Sequence, residues 1–192
     1  FGVLKLGKLG ASMKKAGFNP RTLFSASEPG AWYDPSDMST LFQDSAGTVP
    51  VTAVEQPVGR ILDKSGRGNH AYQTTTTCRP TLSARYNLLT ATDTLTTQSV
   101  TTVATSYTLK LTGAGSVTLS GTAAGSYSAG TYTITCTAGS LTLTVSGSVT
   151  QADLRIANDG VGLPPYQRVV DANTYDTVGF PPYLKFDGVD DS

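Results

Sequence analysis

Between Tyr107 and Val145 apolar and hydroxyl residues alternate with a period of two. Tyr107, Leu109 and Leu111 are followed by Val117 and Leu119, then Tyr132, Ile134 and Cys136, then Leu141, Leu143 and Val145; Thr and Ser occupy most positions between them. Such alternation sets one face of each strand on a core and the other in water. Gly113-Ala114-Gly115, Gly121, Gly125, Gly130, Gly139 and Gly147 punctuate the pattern at the interval expected of a small antiparallel sandwich. A module of about six strands is predicted over 86–158. Residues 22–85 read differently. Trp32, Leu41, Phe42, Val49, Val51, Val58, Ile61 and Leu62 are dispersed among turn signals at Glu28-Pro29-Gly30, Asp34-Pro35-Ser36 and Lys64-Ser65-Gly66, predicting a meander of short strands and loops. Over 159–192, Pro164-Pro165 and Pro181-Pro182 demand extended connections rather than helix.

Composition sharpens this picture. The 192 residues include 30 Thr, 18 Ser and 20 Gly, about a third of the chain, which disfavours long helices and makes the fold class all-β. No apolar run is long enough for a membrane-spanning helix, so no membrane insertion is expected. Fourteen basic residues balance fourteen acidic ones, which argues against a nucleic-acid binder. The balance is only an average. Residues 1–21 carry Lys5, Lys8, Lys14, Lys15 and Arg21 and no acid, and read either as a solvated tail or as a basic arm that orders on a partner. From Asn87 to Thr150 only Asp93 and Lys110 are charged. Faces so poor in charge do not block edge-to-edge pairing, and they suit a homo-oligomer or a module packed on neighbours.

Two separated segments resemble one family. AWYDPSDMSTLF and ILDKSGRGNHA within 31–71, followed by TTTTCRP at 74–80, are similar to the opening of laminin-G-like, concanavalin A-like jelly-roll domains. YLKFDGVDDS at 183–192 is similar to the next strand of the same domain. The resemblance implies a jelly roll begun at 22–85, interrupted by the Thr/Ser-rich sandwich, and resumed over 159–192, with the chain as the N-terminal portion of a longer protein. ARYNLLT at 84–90, GSVTLSG, GSLTLTVSGSVT and GLPPYQRV…YDTVGFPPYLKFDGVDDS also resemble virion proteins of tailed bacteriophages. That likeness implies location in the virion and a tail-associated fibre or appendage subunit. Its partners would be other virion proteins, its assembly homo-oligomeric and commonly trimeric, and its lectin-like domain would face a host-surface glycan. A capsid head-fibre or decoration protein and a secreted carbohydrate-binding protein are the alternatives.

The chemistry within reach is limited. Asp187, Asp190 and Asp191 form an oxygen-rich turn of the kind that holds Ca²⁺, set against a turn whose Asp side chains cap backbone amides. In Asp63-Lys64-Ser65-Gly66-Arg67-Gly68-Asn69-His70 the glycines suit tight backbone geometry and Asn69 the left-handed region; His70 is expected to bond to backbone. Asp63, Ser65 and His70 stand too close in one turn for a catalytic triad. Glu28 and Glu55 are the only glutamates, and Asp34 and Asp37 share one loop, with Asp37 suited to cap the following turn, so the chain reads as non-enzymatic. Tyr33, Tyr166, Tyr175 and Tyr183 are of a type that stacks on sugar rings; Trp32 is expected in the core. Cys78 and Cys136 leave either one disulfide or, preferred, two buried thiols.

Overall fold

A computed structural model describes residues 19–24, 29–157 and 162–186. The protein is all-β and antiparallel throughout, with three short 3-10 turns as its only helical elements among the described residues. The Thr/Ser-rich stretch forms seven strands, one more than the alternation predicts: β5 (Gln98–Thr102), β6 (Thr105–Gly113), β7 (Ser116–Gly121), β8 (Gly125–Tyr127), β9 (Gly130–Cys136), β10 (Gly139–Ser146) and β11 (Val149–Ile156). The additional strand, three-residue β8, lies in a stretch with no apolar alternation. The strands make two sheets, ordered β5-β10-β7-β8 and β11-β6-β9.

The alternating apolar set closes the core between these sheets. Tyr107, Leu109, Leu111, Val117, Leu119, Ile134, Cys136, Leu141 and Leu143 are all buried, joined by Leu89, Leu95, Val149, Ala152 and Leu154. Burying each leucine contributes about 1.5–3 kcal/mol. Tyr107 keeps its ring inside while its hydroxyl oxygen accepts from the Val103 amide at 2.9 Å. On the outer faces hydroxyls pair across strands, Ser99 with Thr142 at 2.8 Å and Thr118 with Ser126 at 2.7 Å. Two turns need glycine. At Gly121 (φ +95°) a Cβ would lie 2.2 Å from the Ser140 carbonyl oxygen, and at Gly113 (φ +101°) 2.5 Å from that of Ser148.

Residues 29–83 build a second, smaller core from short elements: β1 (Leu41–Phe42), β2 (Arg60–Ile61) and β3 (Ala71–Tyr72) form one sheet, and β4 (Thr81–Ser83) pairs with β12 (Tyr183–Lys185). Leu41, Val51, Val58, Ile61 and Leu82 are its buried centre, with Ala71 and Leu184 packed against it. Strands of two residues cannot hold a loop-rich unit alone, so arginine does much of the stitching. Arg79 donates to the carbonyls of Gln73, Gln43 and Thr74 at 3.2, 3.0 and 3.2 Å. Tyr183 pairs with Ser83 and Lys185 with Thr81, so the chain leaves this unit and returns to it at adjacent strands. Of the dispersed apolar residues, Val49 is exposed, in a loop whose Val49 amide donates to Asp44 at 3.1 Å.

The return segment 162–182 is more than a connection. It lies along the edge and outer face of β11, where alternate positions turn Asp153 and Arg155 outward beneath it. Arg155 and Asp153 form a buried ion pair, Arg155 also donates to the Pro164 carbonyl at 3.0 Å, and Asp153 accepts from the Gln167 amide at 2.8 Å. Asn87 and Gln167, both fully buried, tie the three segments together. Asn87 donates to the carbonyls of Ala152 and Gln167 and accepts from the amides of Leu89 and Leu154. Gln167 accepts from the amides of Tyr86 and Asn87 and donates to the carbonyls of Ala84 and Asp176.

Candidate functional site

Where the two cores meet, the chain around 83–90 and the return strand enclose a polar cleft of about 530 Å³. Glu55, Ser83, Arg85, Gln98, Tyr183 and Lys185 are among the residues that line it. Glu55 sits in the left-handed region at φ 62°, a conformation glutamate adopts only when its surroundings hold it there. Its amide donates to the Leu82 carbonyl at 2.6 Å, and its carboxylate accepts from the Ser83 hydroxyl at 3.1 Å and from the Tyr175 hydroxyl. Burial, followed by the hydrogen bond to Glu55, pushes the Tyr175 phenol up to about 12. Arg85 spends its donors on carbonyls: Nε on Asn87 at 2.9 Å, Nη2 on Leu88 and Leu89 at 2.8 and 3.2 Å. Burial pulls its pKa down, opposed by the charge of Glu55. Ser83 is buried and shares its hydroxyl with Glu55 and Tyr175, and the chain's sole histidine lies elsewhere. Chemically the cluster is a latch between the two cores rather than a nucleophile with its base.

The turn 63–70 is organised by one carboxylate. Asp63 Oδ1 accepts from the amides of Trp32 at 2.9 Å and Ser65 at 2.8 Å, and Oδ2 from the Ser65 hydroxyl at 2.7 Å and the Asn69 amide at 3.1 Å. Burial works against the charge, but those four donors together hold its pKa well below the usual carboxylate range. The Asp63 amide donates to His70 Nδ1 at 2.9 Å, so His70 bonds to backbone as the sequence led one to expect. Gly66 and Gly68 have φ of +89° and +75°. Asn69 does not take the left-handed conformation; its side chain instead donates to the Gly30 carbonyl at 2.8 Å.

Nearby, Lys64 Nζ lies 2.8 Å from both Asp34 and Asp37 and 4.7 Å over the Trp32 ring. Trp32 is therefore half-buried under a cation rather than packed in the core, because Lys64 and its two acids cover the ring face. Asp37 precedes a 3-10 turn at Met38–Thr40 but makes no side-chain cap to it; it binds Lys64 and the Ser39 hydroxyl instead. Tyr33 is 40% exposed and its hydroxyl donates to the Asn69 carbonyl. Tyr166 hydrogen-bonds Thr92 and Asp93, and Tyr183 donates to the Arg85 carbonyl at 2.7 Å. Neither Cys78 nor Cys136 is in a disulfide. Cys136 is buried, whereas Cys78 is half-buried because its turn lies at the rim of the small core.

Of the basic arm, Lys5, Lys8, Lys14 and Lys15 lie outside the described residues. Arg21 is exposed in a 3-10 turn at Pro20–Leu23, and its guanidinium lies against Gly66. Asp187, Asp190 and Asp191 also lie outside the described residues. Among the described residues no group of three His, Cys, Asp or Glu side chains is placed to hold a metal ion. Sequence reasoning passed over Glu55, Tyr175, Asn87 and Gln167 as a linked set. Nothing in their spacing signals it, because the contact of Tyr175 with Glu55 spans 120 residues and that of Asn87 with Gln167 spans 80. Comparisons with protein-family models, curated proteins and solved structures found no match.

Proposed function

We propose that this chain is a structural subunit of a bacteriophage particle, most consistent with a tail-associated fibre or appendage. In this reading the basic segment 1–21 docks on other virion proteins, and the β-rich body projects as a homo-oligomer and offers a lectin-like surface to host glycans. One observation carries the reading. Leu82 and Leu184 join the same small core from the paired strands β4 and β12, so the two family-like segments meet in space although the whole sandwich lies between them in sequence. A body looped out from one strand pair of another domain is an outward-facing insert, with both connections on one side. The charge-poor strand faces over 87–150 add support, since they leave pairing between copies unopposed.

The test is the denatured intact mass of the polypeptide in material that sediments as virus-sized particles. The expected result is this sequence at fixed stoichiometry in the pellet, lost when residues 1–21 are deleted. Its absence from particles, with saturable sugar binding by a free monomer, would replace this reading with the secreted sugar-binder.

A further inference from the structure

Beside the turn 63–70, on the small sheet, Arg60 carries a charge that no acid among the described residues answers. Its Nη1 donates to the Ala46 carbonyl at 3.0 Å, and its buried Nε has no hydrogen-bond partner. No carboxylate pairs with it among the described residues. Asp44, in the loop that follows β1, is closed in its own turn, accepting from the Thr48 and Val49 amides and the Thr48 hydroxyl. The Nε is sealed from solvent, so the donors open to an outside acceptor are those of Nη2, which has no protein partner among the described residues.

What surrounds Arg60 defines the kind of acceptor. Arg60 stands directly opposite Tyr72 in the β2–β3 register, so both side chains share one face of the sheet. His70 and Thr74 flank Tyr72 at two-residue spacing, and together with Ser45 and Gly68 these residues line an open depression of about 400 Å³. That volume lies within the range of small-molecule sites. His70 accepts the Asp63 amide on Nδ1, which fixes the neutral ring as the Nε2–H tautomer and leaves a donor on the ring's other side. Tyr72 is 68% exposed, presenting an aromatic face, while Ser45 and Thr74 add hydroxyls.

We propose that this depression binds the carboxylate of an acidic saccharide, with Arg60 as the charged fork, His70 Nε2–H as a second donor and Tyr72 as the platform for the sugar ring. Guanidinium and carboxylate match in geometry as well as charge. An exposed ring bordered by hydroxyls fits a pyranose, which has both apolar and hydroxyl edges, better than an extended peptide. The proposal rests on the glycan-facing role above for its biological sense, but its test does not depend on particles.

Since His70 is the only histidine, its imidazole resonances report on this site alone. The full chain is titrated with D-glucuronate at constant pH, with D-glucose and acetate as parallel probes, while His70 is followed by NMR. The expected result is a saturable His70 shift with glucuronate at concentrations on the order of millimolar, and at least tenfold weaker response to glucose and to acetate. Arg60→Gln abolishes the response. Tyr72→Ala, a change at an exposed ring that leaves the core intact, weakens it severalfold. A silent His70, or glucuronate binding that survives both substitutions, overturns the site. Equal shifts with glucuronate and acetate overturn the saccharide and leave a bare carboxylate site suited to acidic protein side chains. A failed particle-pelleting experiment beside a positive titration removes the virion role and keeps the site.

Discussion

Replacing Asn87 by alanine tests how the sandwich is fastened. The side chain is fully buried and makes four hydrogen bonds of 2.9–3.1 Å, to the Ala152 and Gln167 carbonyls and from the Leu89 and Leu154 amides. With the Leu88 amide donating to the Leu154 carbonyl at 2.9 Å, Asn87 stands in for a partner strand along the outer edge of β11. Its loss strands two buried N–H groups at about 1–3 kcal/mol each, whereas the two carbonyls tolerate under-satisfaction better. The expected destabilisation is about 3–5 kcal/mol, a large share of the 5–15 kcal/mol typical of a folded domain. Equilibrium urea unfolding followed by circular dichroism would show a lower midpoint at unchanged slope. Thr131→Ala, at an exposed position of β9, serves as the control and should stay within about 0.5 kcal/mol. Asn87 donates from its side chain to the Gln167 backbone carbonyl and Gln167 accepts the Asn87 amide on its side chain, so Asn87→Ala and Gln167→Ala act on one network and should be non-additive by more than about 0.5 kcal/mol. A loss below about 1 kcal/mol for Asn87→Ala would refute the reasoning, because it would mean that water or backbone movement satisfies the edge without the side chain.

Three further outcomes are expected. In the native protein a thiol reagent should modify Cys78 well before Cys136, whose thiol burial pushes up in pKa, with the second equivalent reacting only on unfolding. Spectrophotometric alkaline titration should show Tyr166 and Tyr175 ionising late, from an ordinary 10.0 to about 12, chiefly through burial; their contribution to stability is whole below pH 10.0 and lost as pH rises toward about 12, and Glu55→Gln should bring Tyr175 down. Asp44 is held at about 2 by the Thr48 hydroxyl and then the Val49 amide; its contribution is present above the ordinary value of 3.8 and is lost as pH falls toward about 2, and carboxyl NMR on Thr48→Val should show its midpoint move back up.

The sandwich was the legible part. Leu109, Leu111, Val117, Leu119, Ile134, Cys136, Leu141 and Leu143 are buried where the alternation puts them, because each lies on a long strand with one face wet. Tyr132 and Val145 keep the period but are only partly buried, packed against the core rather than within it. β11 defeats pattern reading altogether. Ala152, Asp153, Leu154 and Arg155 are buried in succession because the return segment covers its second face, and a buried Arg–Asp pair looks in sequence like two solvated charges. The same holds for Arg60. Its function as a candidate anion site depends on the absence of a partner, and absence has no sequence signature.

The two cores differ in what holds them, and that difference bears on how the protein works. The sandwich is a hydrophobic layer between sheets, and its outer faces carry hydroxyl pairs that stiffen strands without charge. The small unit has five residues at its buried centre and depends on directed polar bonds from Asp63, Arg79 and Glu55. Directed bonds fix loop backbone in place, which a recognition surface needs, while hydrophobic layers tolerate the load of packing against neighbours. On the function and site proposed above, assembly contacts would fall to the sandwich and ligand contacts to the loops around Arg60 and His70. The latch of Glu55, Ser83 and Tyr175 couples them, so breaking it by Tyr175→Phe would loosen the orientation of the loops to the sandwich while sparing each core.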